Sequence, residues 1–248
     1  MMKYAVLQLE PEPPALEALA NAFRASKVMA VADAAQIAFH GTGFIAERLD
    51  EAAARKLCAA LGAEGVAAVA LPLREVPELP RRISAPRLDC RPEALLIYDA
   101  LGRSRSVDWS AVGFVGVGDI AKIKHIVRVK VGQSSGDPKS GLPDTEYEEK
   151  PEQRPTLAFH VSGEANYYLI ESETFLYTPL GSDRVVSRRH GLAAFYGDVL
   201  RQASGALLSR GARALAAGQK PLVRYPSRQV FERELRWLLW KSAGKGGG

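Results

Sequence analysis

The chain reads as an α+β protein. A small β-α-α-β-α-β module comes first, followed by an antiparallel curved sheet or small barrel with C-terminal helices. Three observations predict this. Residues 3–73 mix short apolar runs with amphipathic stretches at helical spacing, residues 87–178 show period-2 alternation broken by turn residues, and helical spacing returns after residue 190. Charge divides the chain in the same place. Residues 1–80 hold 7 Lys/Arg against 10 Asp/Glu and residues 81–248 hold 26 against 18, for net charges of −3 and +8. The break falls in the proline-rich "LREVPELPRRISAPRLD". We therefore expect a first module over 1–76, a linker over 77–86, a second module over 87–243 and a frayed tail over 244–248.

In the first module, "KYAVLQL" is an apolar strand. Pro13 and Pro14 open a helix that presents Leu16, Leu19, Ala20 and Phe23 on one face. "VADAAQIAFHGTG" is a second helix, stopped by Gly41 and Gly43. "FIAERL" is extended and leads to Asp50, an N-cap for a third helix with Ala54, Leu57, Cys58 and Leu61 inward and Gly62 or Gly65 at its end. "VAAVALPL" closes the module as a strand.

With these residues in place, the module resembles the C-terminal domain of the bacterial ribosomal stalk protein. The likeness covers roughly residues 3–73. It rests on the opening strand, the "ADAAQIA" helix, the Gly-bearing turn and the run "ERLDEAAARKLCAALGAEGVAAVAL". Asp50, Leu57, Leu61 and Gly65 fall where that family places cap, core and turn. The resemblance implies a small, rigid module used for protein contacts. In that family, lysines on the second helix contact translation GTPases; Ala32 and Ala35 stand at the matching positions here, so the fold is implied without the factor-binding charge.

In the second module, "PEALLIYDALGRSRSVDWSAVGFVGVG" alternates as a hairpin, with Leu95, Ile97, Val107 and Trp109 flanking the turn. "IKHIVRVKV", "TLAFHVSG" and "NYYLIESETFLYTPLG" supply further strands. Residues 132–154, polar and broken by Gly and Pro, are expected to form a loop. Its acids Asp144, Glu146, Glu148 and Glu149 are read as solvated rather than as a metal site. Helices follow over 190–218, broken at Gly205 or Gly211. A final helix is capped by Ser227, with Phe231, Leu235 and Leu238 on one stripe and Val230 and Trp237 on its flank, and is expected to seal the sheet. The stretch "YDALGRSRSVDWSAVGFV" resembles the strand pair of bacterial pleckstrin-homology-like domains, a likeness of fewer than 40 residues.

Just beyond that stretch, Gly116, Gly118 and Ala121 have the G-x-G-x-x-A spacing of dinucleotide-binding turns. Such a turn needs a helix of ten or more residues next, and "DIAKIKH" offers two turns before alternation resumes, so these glycines are expected to mark a twisted or bulged strand end. No metal or cofactor site is expected. His40, His125, His160 and His190 have no second ligand at metal spacing, Cys58 and Cys90 are isolated, and neither H-E-x-x-H nor G-x-S-x-G occurs.

Basic residues are the strongest functional signal. Lys122, Lys124, Arg128 and Lys130 occupy alternate positions of one strand, and Arg184, Arg188, Arg189 and His190 precede a helix. Lys122, Lys124, Arg184, Arg188 and Arg189 are the candidate anion- or partner-binding residues. We expect a non-catalytic interaction or scaffold protein whose partner is foremost another protein, with anionic lipid or RNA as further polyanions. The alternative is an enzyme whose site is assembled between the modules. No leader sequence is recognised and no apolar run approaches the roughly 20 residues of a membrane span, so the expected location is cytoplasmic.

Overall fold

The computed structural model describes residues 2–130, 144–171, 175–178, 181–182, 186–187 and 192–245. Its first layer is an antiparallel sheet of β1 (Tyr4–Gln8), β2 (Phe44–Leu49) and β3 (Ala68–Pro72), in the order β2-β1-β3. Helices α1 (Leu16–Ser26), α2 (Asp33–His40) and α3 (Glu51–Ala63) complete the β-α-α-β-α-β order expected from the sequence. Leu19, Ala22 and Phe23 of α1 and Ala54, Leu57 and Leu61 of α3 bury against Val6 and Ile45 of the sheet. Asp50 caps α3 as expected, its Oδ1 accepting from the Ala53 N–H at 2.8 Å. Leu16, expected inward, opens α1 and stays exposed, whereas Ala22 is buried.

The remaining strands form two sheets. Strands β4 (Arg81–Ile83), β5 (Arg87–Cys90), β6 (Ala94–Tyr98), β7 (Ser104–Asp108), β8 (Val112–Lys130), β9 (Asp144–Val161), β10 (Asn166–Glu171), β11 (Leu176–Thr178) and β12 (Val186–Ser187) precede α4 (Leu192–Gln202). After it come β13 (Leu207–Leu208), α5 (Arg210–Ala216), β14 (Arg224–Tyr225) and α6 (Arg228–Lys245). One sheet runs β13-β8-β9-β10-β4 with β14 also on β8, and the other runs β12-β11-β5-β6-β7. Leu88, Leu95 and Ile97 of the second sheet meet Val115, Val117, Leu157 and Phe159 of the first, and Phe195, Tyr196 and Val199 of α4 join the same core. The α+β class is the one expected.

Two segments differ from expectation. Residues 77–86, expected as a linker, contain β4, which pairs in parallel with β10. Of the expected loop over 132–154, residues 144–154 belong to β9; the part over 132–143 lies outside the described residues. The register explains the second difference. Lys122 stands opposite Glu152, His125 opposite Glu149, Arg128 opposite Glu146 and Lys130 opposite Asp144. Opposite charges at paired positions favour strand pairing in general, and one like-charge pair, Lys124 opposite Lys150, interrupts the pattern. Taken alone, the acidic stretch shows no sign of that partner.

The glycine motif sits within the 19-residue strand β8, not at its end. A Cβ at Gly116 would stand 2.5 Å from Leu235 Cδ2, and one at Gly118 would stand 2.3 Å from Tyr225 Cε2. The glycines make a low floor for α6 and β14, and side chains cover the backbone that a pyrophosphate would need. No helix follows, since β8 continues to Lys130.

Helix α6 presses on this floor with Phe231 and Leu235, and with Leu238 it shares one core with Ala5, Leu7 and Phe44 of the small sheet. Trp237 lies over Gly43, where φ is +82° and a Cβ would come within 2.1 Å of the indole, and its Nε1 donates to the Gln8 carbonyl at 2.9 Å. Arg236 Nε donates to the Pro77 carbonyl at 2.8 Å. The final helix therefore covers the second module, as expected, and also binds the first. Glu234 of the same helix is fully buried, accepting from the Tyr225 hydroxyl at 2.7 Å and from the Arg210 N–H at the start of α5. Burial raises its pKa above the ordinary value of 4.5, against the opposing effect of those two donors.

Gly118→Ala should destabilise the protein by about 1–3 kcal/mol through overpacking. Gly62→Ala, in α3 with open space around it, should instead stabilise by about 0.5–1 kcal/mol. Urea denaturation of both variants checks the opposite signs. The raised pKa of Glu234 makes a second expectation. Its contribution to stability is full below about 4.5 and is lost as pH rises through the folded-state value. Glu234→Gln should lack that loss, so the stability difference between wild type and variant should move in favour of the variant as pH rises.

Candidate anion-binding cleft

One face of the six-stranded sheet carries Phe114, Gly116, Gly118, Ile120 and Lys122 of β8, as period-2 geometry requires. Helix α6 covers this face as far as its own first turn, where Ser227 Oγ accepts from the Val230 N–H at 3.3 Å. Beyond that turn the face opens into a cleft of about 340 Å³ lined by Arg82, Ser84, Lys122, Arg154, Leu169, Glu171 and Arg228. A recess of about 270 Å³ shares Lys122, Arg154, Glu171 and Arg228 and adds Ile120, Ala121 and Thr156. Four cations thus converge from β4, β8, β9 and the start of α6, whose N-terminal end adds positive potential.

Glu171 is the only carboxylate lining the cleft among the described residues. Arg228 binds its Oε1, and Lys122 Nζ stands 3.9 Å from its Oε2. Arg154 pairs with Glu152 at 3.2 Å. Arg82 reaches Glu232 only at 3.9 Å, and that carboxylate also accepts from the Tyr167 hydroxyl at 2.7 Å. Burial first, then this bond to Glu232, pushes the Tyr167 phenol above its ordinary range. Thr156 Oγ1 donates to the Arg154 carbonyl at 3.0 Å.

Of the residues predicted from sequence, Lys122 lines this cleft. Lys124 lies two positions further along β8, opposite Lys150, with its side chain outside the described part. Arg184, Arg188 and Arg189 lie outside the described residues. Sequence reasoning missed Arg82, Arg154, Glu171 and Arg228. A signal for one of them was present: Lys122 has the parity of Gly116 and Gly118, the positions a helix must cover, and Arg228 opens the helix that covers them.

Of the other candidates, His160 and Cys90 are buried in the fold, and the His125 side chain and His190 lie outside the described part. The His160 ring stacks on Phe114 with centroids 5.6 Å apart, and its Nε2 lies 3.1 Å from the Glu164 carbonyl. Burial, then the charge of Arg210, lowers the pKa of His40. Cys90 is buried, and burial followed by the charges of Asp198 and Asp89 pushes its thiol far up, which makes it a poor nucleophile. Among the described residues no group of three or more His, Cys, Asp or Glu is placed to hold a metal ion. Side chains of α6 fill the space between the small sheet and the six-stranded sheet. Comparison of the chain with protein-family models, with characterised proteins and with solved structures gives no match, so the likenesses to the stalk domain and to pleckstrin-homology-like domains rest on the residues quoted for them.

Proposed function

We propose that the chain is a non-catalytic binding protein that takes an anionic group of its partner into this cleft. One observation carries the reading: Arg82, Lys122, Arg154 and Arg228, from four separate elements, line a single concavity. A basic stripe along one strand is an ordinary solvated surface, whereas cations brought together by tertiary structure repel one another and favour an anion between them. The net charge of +5, with its excess in residues 81–248, supports attraction of such a partner over distance. Thr156 Oγ1 donates to the Arg154 carbonyl, and in the cleft the cationic donors outnumber the single carboxylate, Glu171, among the described residues. The partner we favour is a protein, and RNA or anionic lipid would meet the same cations. Among the described residues no helix is long and apolar enough to cross a membrane, and a cytoplasmic location belongs to this proposal.

Pyrophosphate is a suitable probe because it is small and strongly charged. Its affinity, followed by calorimetry, should weaken with added salt as the Debye length shortens to about 8 Å at physiological ionic strength. Arg82 and Lys122 are 47% and 48% exposed, so the double variant Arg82→Glu/Lys122→Glu should keep the wild-type thermal midpoint. It should bind pyrophosphate about tenfold more weakly or worse. Equal binding by the variant, or no salt-sensitive binding by the wild type, would refute the assignment.

A further inference from the structure

The cleft contains an anion of its own. Building on the anion-binding reading, we infer that Glu171 is a built-in competitor that makes the site select phosphoryl groups over carboxylates. Its carboxylate lies among the cations, held by Arg228 on one oxygen and facing Lys122 across 3.9 Å on the other. An entering monocarboxylate could only exchange one carboxylate for another at the same two cations. It would release Glu171 into a positive field with no net gain in charge or in acceptor oxygens.

A phosphoryl group differs on both counts. It carries about −1.5 to −2 charges at neutral pH and three terminal acceptor oxygens. Its contacts to guanidinium groups are charge-assisted and directional. It can therefore hold Arg228 and Lys122 together and also draw in Arg82, whose pairing with Glu232 is long at 3.9 Å. Glu171 must give way, and it is placed to do so: it is the last residue of β10 and its side chain is 28% exposed. Only a ligand that outbids the internal carboxylate gains the site.

Calorimetric titration of the full chain with inorganic phosphate, and separately with acetate at matched ionic strength, tests this. The wild type should bind phosphate and should bind acetate about tenfold more weakly or worse. Glu171→Gln should tighten phosphate binding by about fivefold or more and bring acetate binding into range. Glu171→Asp, with its carboxylate drawn back by one methylene, should fall between them, and near-UV circular dichroism reports whether each variant is folded. Phosphate affinity unchanged in both variants, or acetate bound by the wild type as well as phosphate, overturns the role of Glu171 and leaves the anion-binding reading standing. No phosphate binding by any of the three proteins overturns both. Phosphatidylcholine vesicles containing phosphatidic acid or phosphatidylserine separate the sources. Glu171-dependent binding to the phosphatidic acid vesicles alone, tighter than to free phosphate, assigns the phosphoryl group to a lipid head group. Binding no tighter than to free phosphate assigns it to a soluble ligand. Vesicle binding that ignores Glu171 counts against the proposal.

Discussion

Helix α6 is buried from two sides, and the depth at which it sits is set by positions where side chains are missing. Gly116 and Gly118 on β8 let Leu235 and Tyr225 approach the backbone of the six-stranded sheet, and Gly43 lets Trp237 approach the edge of the small sheet. A helix apolar on more than one flank can only be stable between two apolar surfaces. Here those surfaces are the two sheets, and the polar ends of the junction are closed by the indole of Trp237 on Gln8 and the guanidinium of Arg236 on Pro77. The buried carboxylate of Glu234 ties the same helix to α5 and β14. Such a group is costly to desolvate, and its two donors offset part of that cost.

Much of the architecture was legible because its signals are local. Asp50 and Ser227 cap the helices they were expected to cap, and Phe231, Leu235 and Leu238 form the buried stripe that spacing alone indicates. What escaped reading depends on partners distant in the chain. The acids of β9 look like a solvated loop until the register sets them against the bases of β8. The glycines of β8 look like a nucleotide turn until the helix that covers them, more than 100 residues later, is in place. Arg82, Arg154 and Arg228 carry no common pattern in sequence, and only tertiary structure makes them neighbours.

The cleft and the junction are two halves of one surface. The face of β8 that is apolar or bare from Phe114 to Ile120 becomes basic at Lys122, and the change coincides with the first turn of α6. The helix thus both holds the layers together and ends where the cations begin, contributing Arg228 to the site it borders. Packing and recognition are coupled through its position: a shift of α6 along the sheet would move Arg228 relative to Arg82 and Lys122.

Past Ile120 and Thr156, β8 and β9 pair only with each other among the described residues, forming a two-stranded ribbon of one basic and one acidic strand. In sequence the β8 strand of this ribbon is predominantly basic and the β9 strand predominantly acidic. Two copies related by a two-fold axis would meet like edge to like edge, lysine and arginine against lysine and arginine, or glutamate against glutamate. Exposed strand edges invite such pairing, and charge is among the means by which proteins discourage it. The opposite charges that the two strands carry in sequence therefore also guard the ribbon against zipping onto a copy of itself, leaving head-to-tail contact of opposite edges as the arrangement its charges would tolerate.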